Sequence, residues 1–232
     1  MRRRILVLAV LLLAALAAGL LWRGDIAVPA PWNPWAPLDL RDPPNLLTGL
    51  KLARVKADPD LCRAVLATSG LSTRPVPDRE EAPGCVLSNA VAVSRAGVAL
   101  DRGFVASCRL AVAFALFERH ALQPAAQEAF GQRVAAIDHL GTYACRNVNH
   151  RAEGRRSRHA TADAIDLAAV RLADGRRITV RQGWAGDGPE ARFLHRLRDR
   201  ACRIFDVVLS PDYNAVHRDH LHLDVGWFGT CR

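Results

Sequence analysis

The chain has 232 residues, a formal net charge of +9 and a hydrophobic fraction of 50%, which allows one domain of ordinary size plus additional segments. Nearly all of the positive charge is arginine, because Lys51 and Lys56 are the only lysines. Such a basic surface suits an anionic cell-wall polymer or anionic lipid headgroups, or it reflects only solubility and a preference for arginine. The sequence has no interleaved aromatic and basic residues, which argues against a nucleic-acid partner.

The N-terminus has the pattern of an export segment. Three arginines at residues 2–4 precede an unbroken apolar run over residues 5–22. The run is short for a bilayer span and long for the apolar part of a signal peptide, so residues 1–22 predict a signal anchor or a signal peptide. Trp22 followed by Arg23 favours the anchor. The remaining chain is then expected in the periplasm or another extracytoplasmic space.

A proline-rich stretch follows the apolar run. Residues 28–45 contain six prolines, which predicts an extended, semi-rigid spacer that holds a domain away from the membrane. The sequence therefore divides into the export segment 1–22, a linker over residues 23–45 and a folded domain over residues 46–232.

Six cysteines lie in the exported part of the chain. An even number in an oxidising compartment predicts up to three disulfides, although six cysteines allow fifteen pairings. A zinc site made of cysteines is disfavoured, because the nearest two are 23 positions apart and no close pair exists. The cysteines are Cys62, Cys85, Cys108, Cys145, Cys202 and Cys231.

The pattern of apolar residues predicts an α+β domain in which helices come early and strands come mostly late. Asp58 and Pro59 are expected to begin the first helix, which ends before Gly70. Further helices are predicted at residues 108–122, at 124–132 and from Pro189. Strands are predicted within 85–100 and at 134–140, 142–146, 164–169, 178–180, 207–209 and 221–225. The expected platform is a small antiparallel sheet packed with helices and stapled by disulfides.

Two histidine-containing stretches stand out, SRHATADAID at residues 157–166 and HRDHLHLD at residues 217–224. On a strand, His220 and His222 project to the same face, because residues two apart do so. His159 and Asp166 share a face on a helix but not on a strand, so they converge only if the chain bends around residues 161–163. The spacing alone therefore does not prove a site.

The residue types nevertheless suit a metal. Two histidines and one carboxylate that leave a fourth position open are a common ligand set for catalytic zinc. Zinc lowers the pKa of a bound water and polarises a carbonyl oxygen, and a neighbouring carboxylate or histidine takes the proton. The alternative is that these histidines only cap loops and form surface hydrogen bonds.

Residues 62–231 resemble the extensin-like C-terminal domain found in bacterial exported proteins. The resemblance rests on several motifs that together cover most of the exported domain, although the family name says little about chemistry. The matching stretches are residues 143–147 (YACRN), 157–166 (SRHATADAID), 193–194 (FL), 201–203 (ACR) and 209–224 (LSPDYNAVHRDHLHLD).

A weaker resemblance is to the lysostaphin/D-Ala-D-Ala group of zinc metallopeptidases, whose pattern is S-x-H-x-x-G-x-A-x-D followed by H-x-H. Ser157, His159, Ala164 and Asp166 match this pattern, whereas Ala162 stands where glycine is usual. The resemblance implies the metallopeptidase fold. It also implies that Zn²⁺ is bound by His159, Asp166 and His222.

The same resemblance assigns roles to four more residues. Asp219 and His220 are joint candidates for the catalytic base, and Asp219 is shorter than the glutamate usual at its position. Arg146 is expected near the substrate or the oxyanion, or else in a surface salt bridge, and Ser157 near a ligand or substrate, or else in a simple turn.

The function expected from this resemblance is zinc-dependent hydrolysis of peptide amide bonds in peptidoglycan, with stem peptides as the substrate. The alternative is a non-catalytic wall-binding or envelope-structural module that keeps the site as a ligand pocket.

Overall fold

The computed structural model describes residues 3–7, 12, 28–226 and 229–232. The predicted export segment, residues 1–22, lies mostly outside the described residues. Among the residues that are described, no helix is long and apolar enough to cross a membrane.

The fold is α+β, as predicted, and six α-helices lie within residues 28–226. Helix α2 (Pro59–Ala67) begins at Asp58 and Pro59, as predicted, because the Asp58 carboxylate accepts hydrogen bonds from the backbone N–H groups of Asp60 and Leu61. It is the second helix of the domain and not the first, because Thr48–Ala57 is also helical. Helix α3 continues through one π-helical turn, Glu118–Leu122, into α4, which ends at left-handed Gly131. The helices are α1 (Thr48–Ala57), α2 (Pro59–Ala67), α3 (Cys108–Phe117), α4 (Gln123–Phe130), α5 (Val180–Gly183) and α6 (Pro189–Ala201).

Twelve strands form three sheets within the described residues. The largest sheet has the order β12-β10-β11-β8-β7-β5, with β9 also on β8, and a three-stranded sheet has the order β1-β4-β6. Pairing is antiparallel except for β5 with β7 and β10 with β12. The strands are β1 (Ser72–Val76), β2 (Arg79–Ala82), β3 (Cys85–Leu87), β4 (Ala90–Arg95), β5 (Ala99–Leu100), β6 (Phe104–Ser107), β7 (Val134–Gly141), β8 (Ala164–Leu172), β9 (Arg177–Thr179), β10 (Val207–Leu209), β11 (Leu221–Asp224) and β12 (Thr230–Cys231).

Two predictions about the elements were wrong. Residues 142–146 form a loop rather than a strand, and only Thr142 at its start is buried. Strands also occur early, because β1 and β2 precede α3. Neither strand has alternating apolar residues, so the apolar pattern did not predict them.

Helix α3 forms the centre of the core. Every residue of α3 except Arg109 is buried. The helix packs against α1, α2, β4 and β6, while α4 packs against α6. Phe114 and Phe117 are among the largest fully buried side chains and make edge-on contacts with Phe104 and Phe205. Helix α3 thereby joins α1 and α2 to the three-stranded sheet.

All six cysteines form disulfides, as predicted, and the pairs are Cys62–Cys108, Cys85–Cys145 and Cys202–Cys231. Each bond joins parts of the chain that are distant in sequence. Cys85–Cys145 attaches the 142–146 loop to β3 across a separation of 60 residues.

Residues 30–45 contact the folded domain. Leu38 and Leu40 are buried in the main core. Lys51 Nζ donates a hydrogen bond to the carbonyl of Ala30 at 2.7 Å, and Arg54 Nη1 donates one to the carbonyl of Pro34 at 2.8 Å. The division at residue 46 stays a prediction, and any protein used in experiments should retain residues 28–45.

Removing the Cys85–Cys145 disulfide should destabilise the protein by about 4 kcal/mol. A loop of this length, once free, adds that much conformational entropy to the unfolded chain. The measurement is urea unfolding of a Cys85→Ser/Cys145→Ser double variant beside the oxidised parent. Equal unfolding midpoints would contradict this account of the bond.

Candidate metal centre

The site begins with the pairing of β8 and β11. Asp166 lies directly opposite His222 in the antiparallel register. Side chains at directly opposed positions of a sheet share one face. The Asp166 carboxylate therefore contacts the His222 ring, with Oδ1 2.9 Å from Nδ1.

His159 reaches the same place from a short 3₁₀ turn, Arg158–Thr161. The Ser157 hydroxyl accepts a hydrogen bond from the His159 backbone N–H at 3.3 Å, so Ser157 caps this turn. The chain then bends at Ala162 before it enters β8. His159 and Asp166 therefore do not lie on one continuous strand, where they would face opposite sides, and their side chains can converge. His159 Nε2 lies 3.1 Å from Asp166 Oδ2.

A buried ion pair fixes the bend. Asp163 is 1% exposed and accepts hydrogen bonds from Arg109 Nε at 2.7 Å and from the Thr161 hydroxyl at 2.6 Å. Arg109 belongs to α3, so the turn between the two candidate ligands is held by the central helix. The Asp163 carbonyl also accepts the N–H of Val225 at the end of β11.

The three predicted ligands meet. His159 Nε2 lies 3.3 Å from His222 Nδ1, and all three residues offer ligand atoms within 4.8 Å of one another. Nitrogen and oxygen ligands about 2.0–2.1 Å from a tetrahedral zinc ion are separated by about 3.3 Å. The observed separations of 2.9, 3.1 and 3.3 Å are close to that value. His159, Asp166 and His222 could therefore hold a metal ion together.

The remaining ring nitrogens are also bonded. His159 Nδ1 lies 3.1 Å from the carbonyl of Thr142, which can only accept, so this nitrogen carries a proton and Nε2 faces Asp166 and His222. His222 Nε2 lies 3.1 Å from Asp224 Oδ2. Such outer contacts orient the ring and select its tautomer at metal sites. Asp224 was missed as a site residue, although its position two residues after His222 on a strand was a usable signal.

Burial and charge set the protonation of the centre without a cation. Burial raises the pKa of Asp166, but hydrogen bonds from His159 and His222 outweigh burial and hold this pKa far below its usual range. Burial lowers the pKa of His222, yet the carboxylates of Asp166 and Asp224 raise it to about 9. Asp166 is thus a carboxylate, and a bound metal would replace the proton on His222.

His220 and Asp219 form a second pair beside the centre. Asp219 Oδ1 lies 2.9 Å from His220 Nδ1, and His220 Nε2 points inward, 3.7 Å from Asp166 Oδ1. The two candidates for the base are therefore one unit. His220 is nearer the centre, and Asp219 holds its ring from behind.

His217 also lies in the site, although no role was predicted for it. Its Nδ1 is 2.8 Å from Asn214 Oδ1, and its ring packs near those of His220 and His222. Burial, followed by the charge of His222, lowers the pKa of His217 to about 4. The ring is therefore neutral at neutral pH.

The centre opens into a cleft of about 730 Å³ with a basic rim. Arg146 is half-buried in its wall and, within the described residues, forms no ion pair. Ser157 also lines the cleft, so both predicted substrate contacts face the same space as the three ligands. Asp219 is the one predicted site residue that does not line it. The other arginines of the lining are Arg155, Arg156 and Arg158.

Ala162 stands where the metallopeptidase pattern has glycine. Its backbone is left-handed, with φ 52° and ψ 32°, a conformation that disfavours residues with a Cβ. Its methyl group is fully buried in a small cluster with Leu87 and Ala90. The methyl group is accommodated, and the turn keeps His159 directed at Asp166.

A known protein family covers most of the chain. Residues 60–232 match the family model described as extensin-like protein C-terminus, and the chain belongs to that family. No curated protein and no solved structure matches the chain.

Two substitutions test the turn at residue 162. Ala162→Gly should change the free energy of unfolding by less than about 1 kcal/mol, because relief of the backbone offsets the lost methyl burial. Ala162→Val should destabilise the protein by about 2–3 kcal/mol through crowding and a β-branched left-handed residue. The measurement is urea unfolding, and a valine variant as stable as the parent would contradict the buried left-handed turn.

Proposed function

We propose that the protein is a zinc-dependent hydrolase of peptide amide bonds in peptidoglycan, acting in the periplasm or another extracytoplasmic space. The observation that carries the proposal is the convergence of His159, Asp166 and His222 at the floor of a basic cleft. The spacing of their ligand atoms and the bonds to their outer nitrogens fit zinc.

The donor set distinguishes zinc from calcium and magnesium. Calcium and magnesium prefer oxygen ligands, whereas two imidazoles with one carboxylate suit zinc. Three protein ligands leave a further position for water or substrate. In such a site zinc supplies Lewis acidity and makes a water molecule acidic enough to attack near neutral pH.

The surrounding residues have distinct tasks in this proposal. His220 accepts the proton of the attacking water and passes it to the departing amine, while Asp219 keeps His220 Nδ1 protonated so that Nε2 can act as the base. Arg146 binds the oxygen on which negative charge develops, or a substrate carboxylate. Ser157 caps the turn that carries His159 and is available to substrate at the cleft wall.

Two features support peptidoglycan as the substrate. Stem peptides carry free carboxylates, which the basic rim of the cleft attracts. The residues that meet at the centre are also those shared with the D-alanyl metallopeptidase pattern.

A non-catalytic wall-binding module is the second candidate, and the position of Asp219 favours it. The usual glutamate base would reach into the cleft, whereas the Asp219 carboxylate is directed at His220 and does not line the cleft. Such a module would bind wall peptides and cut none of them.

Metal content is the first test. A purified chain beginning at residue 28 should contain about one zinc per molecule. His159→Ala and His222→Ala should each lose it, because two protein ligands do not retain zinc tightly. His150→Ala is the matched control, since this exposed histidine lines the same cleft outside the ligand set. A folded, disulfide-bonded parent without zinc, even after zinc is supplied, would refute the hydrolase.

Digestion of purified peptidoglycan separates the two candidate functions. The zinc-loaded parent should release new amino and carboxyl groups. His220→Ala should retain zinc and lower kcat about 10²–10⁴-fold, the usual contribution of a general base, with Asp219→Asn intermediate. A zinc-loaded parent that binds peptidoglycan and cuts nothing would favour the wall-binding module, whereas full activity in His220→Ala would exclude His220 as the base.

A further inference from the structure

Helix α1 has an unusual exposed face. The side of a surface helix that faces solvent is normally polar. The solvent side of α1 instead carries Gly49, Leu50, Ala53 and Ala57, all of them exposed. None of these four residues is charged.

The cationic residues of α1 turn towards the protein instead. Lys51 is 4% exposed and donates to the carbonyl of Ala30, and Lys56 forms an ion pair with Asp206. Arg54 donates to the carbonyl of Pro34 and lies over the ring of Trp35, with its guanidinium carbon 5.9 Å from the ring centroid. The outer side of the helix is thereby left to apolar groups.

The preceding segment extends this surface. Trp32 is 56% exposed and Trp35 is 78% exposed, and Leu46 and Leu50 are 93% and 50% exposed. Asn45 Nδ2 donates to the carbonyl of Pro31 at 3.0 Å, which holds the segment beside the start of α1. We call Trp32, Trp35, Leu46 and Leu50 the apolar face. An exposed group of large apolar side chains marks an interaction surface.

The position of the apolar face in the chain points to its partner. The apolar run ends at Trp22, and Val28 follows six residues later. A fully extended chain covers at most about 21 Å over that distance. With residues 1–22 as the predicted anchor, the apolar face is kept close to the bilayer surface. Tryptophan is enriched at that depth, because its ring is apolar and its N–H is polar.

We propose that the apolar face inserts into the headgroup region of a phospholipid bilayer and holds the folded domain on the membrane. The partner is the lipid itself, and the contact is apolar. The predicted spacer would then fix the domain to the surface rather than hold it away. This inference does not depend on zinc or on hydrolysis.

The experiment uses the full chain with a protease site placed in residues 23–27. The chain is reconstituted into vesicles of phosphatidylethanolamine and phosphatidylglycerol, cleaved, and separated by flotation. The cleaved domain should remain with the vesicles, also in high salt, because apolar contacts are not screened. Trp35→Ser and Leu46→Ser should each lower the vesicle-bound to free ratio about tenfold.

The matched control is Leu140→Ser, which changes an exposed leucine outside the apolar face; its partition should equal that of the parent. Release of the parent domain on cleavage, or release by high salt, would overturn the proposal. A released domain that sediments as a dimer, and as a monomer when Trp35 is replaced, would instead make the apolar face an interface between copies. Because the substituted side chains are exposed, unfolding midpoints should match the parent and confirm that each variant is folded.

Discussion

The antiparallel pairing of β8 with β11 is the constraint on which the site depends. It places Asp166 opposite His222 and sends His220 and Asp224 to the same side as His222. A slip of one residue would turn these side chains to the other face of the sheet. The register is protected because Ile165, Leu167, Leu221 and Leu223 alternate with the site residues and are buried in the core.

The second constraint is the turn that returns His159 to the sheet. Left-handed Ala162 bends the chain, and the Arg109–Asp163 ion pair ties the bend to α3. Replacing one partner of such a buried pair leaves an uncompensated charge in the interior, which is unfavourable. The pair is therefore expected to favour this bend over other conformations of the turn. A disulfide also supports His159 indirectly. Cys85–Cys145 attaches the 142–146 loop to β3, and this loop provides the Thr142 carbonyl that His159 contacts.

Charge is separated within the cleft. The floor holds the carboxylates of Asp166 and Asp224 among histidines, and the rim holds arginines. The protein as a whole is strongly basic, yet the floor of its cleft is locally anionic and would stabilise a cation. The arginines around the floor attract anionic ligands. This arrangement suits a metal and an anionic substrate together, which a uniformly basic surface would not.

The sequence by itself determined the α+β class, the use of cysteines as disulfides, the capped start of α2 and the identity of the three residues that converge. The first three results follow from local rules of capping, periodicity and cysteine number, whereas the choice of the three residues came from the resemblance to the metallopeptidase motif. Only the tertiary structure decided the disulfide pairing, the loop at 142–146, the contacts of residues 30–45 and the roles of Asp224 and His217. Each of these depends on contacts between distant parts of the chain, and neither spacing nor periodicity encodes which distant groups a fold brings together.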